Sequence, residues 1–143
     1  MTQEDKELLL KDLCGRLPYG VKVLNTAENV NEISLIDSIY FGRDTLVGLT
    51  GENDSKLTGI EMIKPYLFPL SSMTPTQVKE FYRIKGLNLS NEELIRFKSN
   101  YLSVVSNISS YSWSIDWLNK HHFDYRGLIE KGLALDATNL NIY

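Results

Sequence analysis

Apolar and polar residues alternate with different rhythms along this chain, and each rhythm predicts a different element. Leu10, Leu13, Cys14 and Leu17 recur at i, i+3, i+4, i+7 behind Thr2-x-x-Asp5, which has the form of a capping box. The spacing predicts a first helix over about residues 3–15, with Gly15 able to stop it and Pro18 preventing its resumption. Cys14 falls on the apolar stripe, so packing rather than reactivity is its expected role.

From Val21 to Ile63 the texture changes to short β-branched runs separated by turn residues, the sequence form of an antiparallel meander. Strands are expected over about 21–25, 32–41, 44–50 and 56–63, with turns at Ala27–Asn31, Gly42–Arg43 and Gly51–Ser55. Within the second, Ile33, Leu35, Ile39 and Phe41 share one parity, and Asp37 sits on the same parity. A bulge or bend is therefore expected at Asp37, and a carboxylate buried there would need a partner.

The stretch Lys64–Met73 holds two prolines four apart, which predicts an extended connector crossing the sheet rather than a helix or central strand. Thr74-Pro75-Thr76-Gln77 then supplies an N-cap, a proline at the first helical position and a Gln three residues after the cap. Val78, Phe81, Tyr82 and Lys85 share a face, and Gly86 ends that helix. A further capping box, Ser90-x-x-Glu93, precedes Leu94, Phe97, Tyr101, Val104, Ile108, Tyr111, Ile115 and Leu118, spaced like a heptad repeat. One unbroken helix over 91–120 would be about 45 Å long and would imply a coiled-coil dimer. The Ser-rich stretch 106–114 competes for backbone hydrogen bonds, which favours two helices, about 91–105 and 113–121. Leu128–Leu135 reads as a short helix stopped by Gly132, followed by an edge strand or docked extension.

The expected fold is thus α+β in a single domain, 1–143. An N-terminal helix and a small antiparallel β-meander occupy 1–73, and C-terminal helices with a docked tail occupy 74–143. A leading helix followed by a meander resembles the order of SH3-like and Sm-like small barrels, an analogy that carries no function.

Charge and composition narrow the function. The 143 residues can bury a core without disulfides, and the one cysteine fits a reducing compartment, so the cytoplasm is the expected location. No apolar run approaches the roughly 18 residues that span a bilayer, and the acidic start lacks a signal peptide's basic segment, so no membrane partner is expected. The net charge of −3 averages an acidic first half, −4 over residues 1–73, and a slightly basic second half. The chain as a whole offers phosphate backbones no long-range attraction.

Three stretches carry a resemblance. DKELLLKDLCGRLPYGVKV within Met1–Asn25, KPYLFPLSSMT at Lys64–Thr74 and IDWLNKHHFDYRGLIEKGLALDA at Ile115–Ala137 cover a little under half the chain. In them the sequence resembles a family of short uncharacterised proteins of intestinal anaerobic bacteria and their phages or mobile elements. The resemblance implies an accessory protein and supplies no activity, cofactor or catalytic residue. Two positions depart from the family pattern, Phe68 where relatives have Arg and Leu70 where they have Met. If that Arg contacts a ligand in relatives, this chain has lost the contact.

His121-His122-Phe123-Asp124 is the one cluster of metal-ligand residue types, yet adjacent histidines on a helix diverge by about 100° and the ligand count falls short. The expected role is capping of a helix end. There is no nucleophile-and-base arrangement and no phosphate-binding glycine loop, so no cofactor is implied and an enzyme is disfavoured. Basic residues concentrate at Lys79, Arg83, Lys85, Arg96 and Lys98 among aromatics, a pattern that can bind a nucleic-acid strand, though acidic neighbours dilute it. Trp113 and Trp117 share a helix face, with Tyr125 and Arg126 beyond, and such residues are enriched in interface hot spots. The leading expectation is a non-catalytic interaction module binding a protein partner or itself through exposed aromatics around Tyr66, Phe68, Trp113, Trp117, Tyr125 and Arg126. The alternative is a nucleic-acid-binding accessory protein using the five basic residues.

Overall fold

A computed structural model describes residues 1–27, 33–51, 55–84, 86, 88, 90–93 and 112–143. The expected α+β class holds. Helix α1 (Gln3–Arg16) starts at the predicted capping box, where the Thr2 hydroxyl accepts from the Asp5 N–H at 3.1 Å and the Asp5 carboxylate accepts from the Thr2 N–H at 3.0 Å. It runs past Gly15, ends in a 3₁₀ turn at Leu17–Tyr19, and stops at Gly20, whose φ of 69° suits a residue with no Cβ. Gly15 does a different job from the predicted stop. A Cβ there would lie 2.9 Å from the Asn119 side-chain nitrogen, so its absence lets a later helix approach α1.

The buried face of α1 also differs from the predicted stripe. Leu9, Asp12, Leu13 and Arg16 are buried, whereas Leu10 and Leu17 are half-buried and Cys14 is exposed. Two charged residues take core positions because they pair with each other, which a count of apolar residues does not register.

Strands β1 (Lys22–Asn25), β2 (Ile33–Tyr40), β3 (Leu46–Thr50) and β4 (Ser55–Gly59) form the meander, each pairing antiparallel with the next. The predicted bulge lies between Ile36 and Ser38. It changes which parity faces inward: Ser34 and Ile36 are buried before it, Ile39 packs on the core after it, and Ile33 and Leu35 point outward. Asp37 is exposed and accepts from the Ser38 and Thr50 hydroxyls, which hold its carboxyl below the usual carboxylate value.

A 3₁₀ turn at Ile60–Met62 leads into β5 (Ile63–Pro69), which corrects the expected connector. The strand pairs antiparallel with β1 along its first half and parallel with two short strands, β6 (Phe123–Asp124) and β7 (Leu135–Asp136), along its second. Proline is tolerated because of register. The Thr26 N–H donates to the Met62 carbonyl, so hydrogen-bonded pairs alternate from there, and Pro65 sits opposite Val23 in a pair that makes no ladder bond. Phe68 directs its N–H to the His122 carbonyl, which turns the nitrogen of Pro69 to the other side. The strands run in the order β4-β3-β2-β1-β5-β6, with β5 returning to β1 and β7 also pairing with β5.

Helix α2 (Pro75–Ile84) begins at the predicted Thr74 cap, and the Ser90 box forms as expected. Helix α3 (Ser112–Lys120) matches the second of the two predicted helices, while most of the first, 91–105, lies outside the described residues. The tail makes one turn over 128–132, shorter than the predicted helix, and then docks as β7. Two clusters of buried side chains result. Leu9, Leu13, Val23, Ile36, Val47 and Leu67 join α1 to the inner sheet face, and Val78, Phe81, Trp117, Leu118 and Phe123 join α2, α3 and β6.

Gly48 lies under the bulge. A Cβ there would meet Ser38 Oγ and Asp37 Oδ1, so Gly48→Ala is expected to cost roughly 1–3 kcal/mol by overpacking. Adding Ser38→Ala should recover part of that loss in urea unfolding, and an undiminished Gly48→Ala protein would contradict the packing account.

Candidate functional site

The segment that ends α3 and enters β6 gathers most residues singled out from sequence. Both the His121 N–H and ring nitrogen Nδ1 lie within hydrogen-bond distance of the Trp117 carbonyl, 3.1 and 2.9 Å, so this histidine caps the helix end. His122 takes a left-handed conformation, φ 57°, and turns the chain into β6. Asp124 then accepts from the Leu128 and Ile129 N–H groups at 2.9 and 2.8 Å, fixing the next turn. The cluster is architectural, and no group of three or more metal-ligating side chains occurs among the described residues.

Beneath it lies a buried polar knot. Asp12 and Arg16 are fully buried, with the carboxylate accepting from Arg16 Nε at 2.6 Å and Nη2 at 3.0 Å. The same Nη2 donates to the Phe123 carbonyl at 2.8 Å, linking α1 to β6 across 107 residues of sequence. Arg126 brings a second guanidinium, its Nε 3.3 Å from Asp12. The Tyr125 ring packs against both cations, 5.4 Å from the Arg16 guanidinium carbon and 4.8 Å from that of Arg126. Burial pushes the Tyr125 phenol up, with the two arginines pulling the other way.

Tyr143 closes the other side. Its hydroxyl donates to the Tyr66 carbonyl at 2.9 Å and accepts from the Lys22 N–H at 3.0 Å, and its ring stacks on His122 at 3.8 Å. The residue as a whole is 41% exposed, but burial of its phenol group pushes it up to about 12. Lys22 also donates to the Ile142 carbonyl.

This arrangement revises the expected aromatic surface. Tyr66 and Trp117 are buried, Trp117 stacking between His121 and Phe123. Phe68 packs on Phe123 and Tyr143, and Phe68, Trp113, Tyr125 and Arg126 are half-buried. Of the six, Tyr66 and Trp117 are therefore not exposed as expected, and the other four are part-covered. Of the basic set, Lys79 and Arg83 lie on α2, with Lys79 donating to Asn91, while Lys85, Arg96 and Lys98 lie outside the described residues. A groove of about 210 Å³ beside the start of α1 carries charges of both signs, including a 3.1 Å Lys6–Glu61 bridge, and is smaller than the roughly 300 Å³ of small ligand pockets.

The surface that sequence reading missed is the outer face of the meander. The register puts Tyr40, Leu46, Leu57, Leu35 and Ile33 on one side, continued by Leu24, with Lys22 and Lys64 on the same side at the β1–β5 end. Leu57 is 61% exposed, Tyr40 54%, and Phe41 just past β2 is 70% exposed. The largest contiguous apolar patch on an ordinary monomer covers roughly 300–600 Å² and is often functional. Asp37 sits over Gly48 in the middle of this band. The signal was in the sequence as the parity of β2 that holds Ile33 and Leu35, which faces outward before the bulge at Asp37.

Fold and surface together define an α+β protein with a polar knot at its seam and an apolar sheet face turned outward. The chain matches no family model, no curated protein and no solved structure. No helix among the described residues is long and apolar enough to cross a membrane.

Proposed function

We propose that the chain is a non-catalytic interaction module whose outer meander face binds a protein partner presenting apolar residues around a basic one. The observation that carries this reading is the apolar band on that face, with one ionised carboxylate at its centre. Asp37 selects the partner's charge. In a two-fold self-interface centred on this band the two Asp37 carboxylates would face each other, whereas a Lys or Arg there completes the pair. The charge of −4 over residues 1–73 favours the same choice. The accessory role in a bacterium or mobile element rests on the three resembling stretches, and the exposed Cys14 thiol suits a reducing cytoplasm.

Selection from a random peptide library displayed against the whole chain tests the reading. Recovered peptides are expected to combine apolar residues with Lys or Arg, and to lose at least tenfold in affinity to Leu57→Ser and Asp37→Lys proteins. Peptides indifferent to both changes would overturn it. A dimer by light scattering that Leu57→Ser dissolves would reassign the face to a second copy. A low-salt gel shift weakened by Lys79→Glu and Arg83→Glu would move the function to nucleic acid.

A further inference from the structure

The polar knot is short of acceptors. Arg16 spends Nε and Nη2 on Asp12 and Phe123, and its Nη1 is buried with no hydrogen-bond partner. Among the described residues the Tyr125 hydroxyl and Arg126 Nε are likewise buried without an aligned partner; the Arg126 guanidinium lies beside the Tyr125 hydroxyl and in ion-pair range of Asp12 without an aligned hydrogen bond to either. Two guanidiniums therefore share one carboxylate. Asp124 does not supply the balance, because its oxygens take the Leu128 and Ile129 N–H groups. The unmatched groups lie around one ring, since both guanidinium carbons are within 5.4 Å of the Tyr125 centroid. Each of them can donate, and buried donors in native proteins almost always have an acceptor. A donor-rich site suits a small anion better than a water molecule, because a water would bring donors of its own. The Arg126 side chain is 20% exposed, so the site opens to solvent on that side.

We infer that Arg16, Tyr125 and Arg126 form a binding site for a small inorganic anion, a halide or an oxyanion, at the junction of α1 and β6. The anion satisfies Arg16 Nη1, the Tyr125 hydroxyl and Arg126 Nε. This site is separate from the outer meander face and independent of the proposed partner.

Calorimetric titration of the full chain with phosphate, and separately with chloride, in a gluconate buffer of fixed ionic strength tests the site. Thermal unfolding is followed in parallel. Saturable binding of one anion per chain with a rise in Tm is expected, and the anion giving it identifies halide or oxyanion. Arg126→Gln should weaken that binding at least tenfold, and Tyr125→Phe, which keeps the ring, several-fold. Lys79→Gln should leave it unchanged. If the wild type gives no saturable heat with either anion, or if Arg126→Gln and Tyr125→Phe bind as well as wild type, the site does not exist. The same holds if Tm follows ionic strength alone.

Discussion

Replacing Asp12 by Ala should cost this chain 3–5 kcal/mol, on the order of half its stability or more, because a fully buried guanidinium then loses its carboxylate. Asp12 accepts from Arg16 Nε and Nη2 and stands 3.3 Å from Arg126 Nε, so its removal strands two cations at once. Arg16→Met should cost less, since Arg126 still faces the carboxylate. The double change Asp12→Leu with Arg16→Met should recover much of the loss, because a buried ion pair exchanged for apolar residues of similar volume is often neutral or better. Urea unfolding followed by tryptophan fluorescence measures all three. A loss below about 1 kcal/mol for Asp12→Ala would mean that the pair is hydrated in solution, and the account of the α1 seam would fail.

That seam explains which parts of the structure were legible in the sequence. Helix starts are local events, and the boxes at Thr2, Thr74 and Ser90 form as written because side chain and backbone are three residues apart. The meander was legible for a similar reason, since turn residues punctuate it and register follows from short connections. Three features were not. Asp12 and Arg16 look like solvent positions until a partner at Phe123, far along the chain, supplies a carbonyl. The prolines of β5 forbid a strand only where the ladder needs their nitrogen, and that depends on a pairing phase set by β1. The bulge at Asp37 was visible as a polar residue on an apolar parity, but its consequence, the reversal of the faces, was not.

The candidate sites follow the same division. His121, His122 and Asp124 stood out by residue type, and their capping geometry is what adjacent histidines at a helix end can achieve. The aromatics also stood out by type, yet burial of a tryptophan or tyrosine depends on what docks over it. Here the chain's own last residues cover Tyr66 and Phe68. The outward apolar face carries no motif at all, only a pairing register, so it emerges when the strands are placed beside one another.

His122 gives the tail junction a pH dependence whose sign can be worked out. Burial, and then the nearby Arg16, lower its pKa from 6.5 to about 4. Between those values the unfolded chain binds a proton that the folded chain does not, so stability rises with pH across that interval and is lost as pH falls through it. That stabilisation is fully present above pH 6.5 and is lost as pH falls through about 4. Asp5, Asp37 and Glu61 also have lowered values, and their contributions are lost as pH falls from the ordinary carboxylate values, 3.8 for Asp and 4.5 for Glu, so only Glu61 overlaps the acid end of the His122 interval. His122→Asn tests the assignment, because Asn tolerates the left-handed backbone at φ 57° while removing the titrating ring. Urea midpoints between pH 7 and 4 should fall steeply for the wild type and much less for the variant, although the variant starts lower through loss of the Tyr143 stack. Parallel curves would assign the acid sensitivity elsewhere. A variant flat from pH 6.5 to 4 would show that keeping this imidazole uncharged is what holds Tyr143 against β1 and β5.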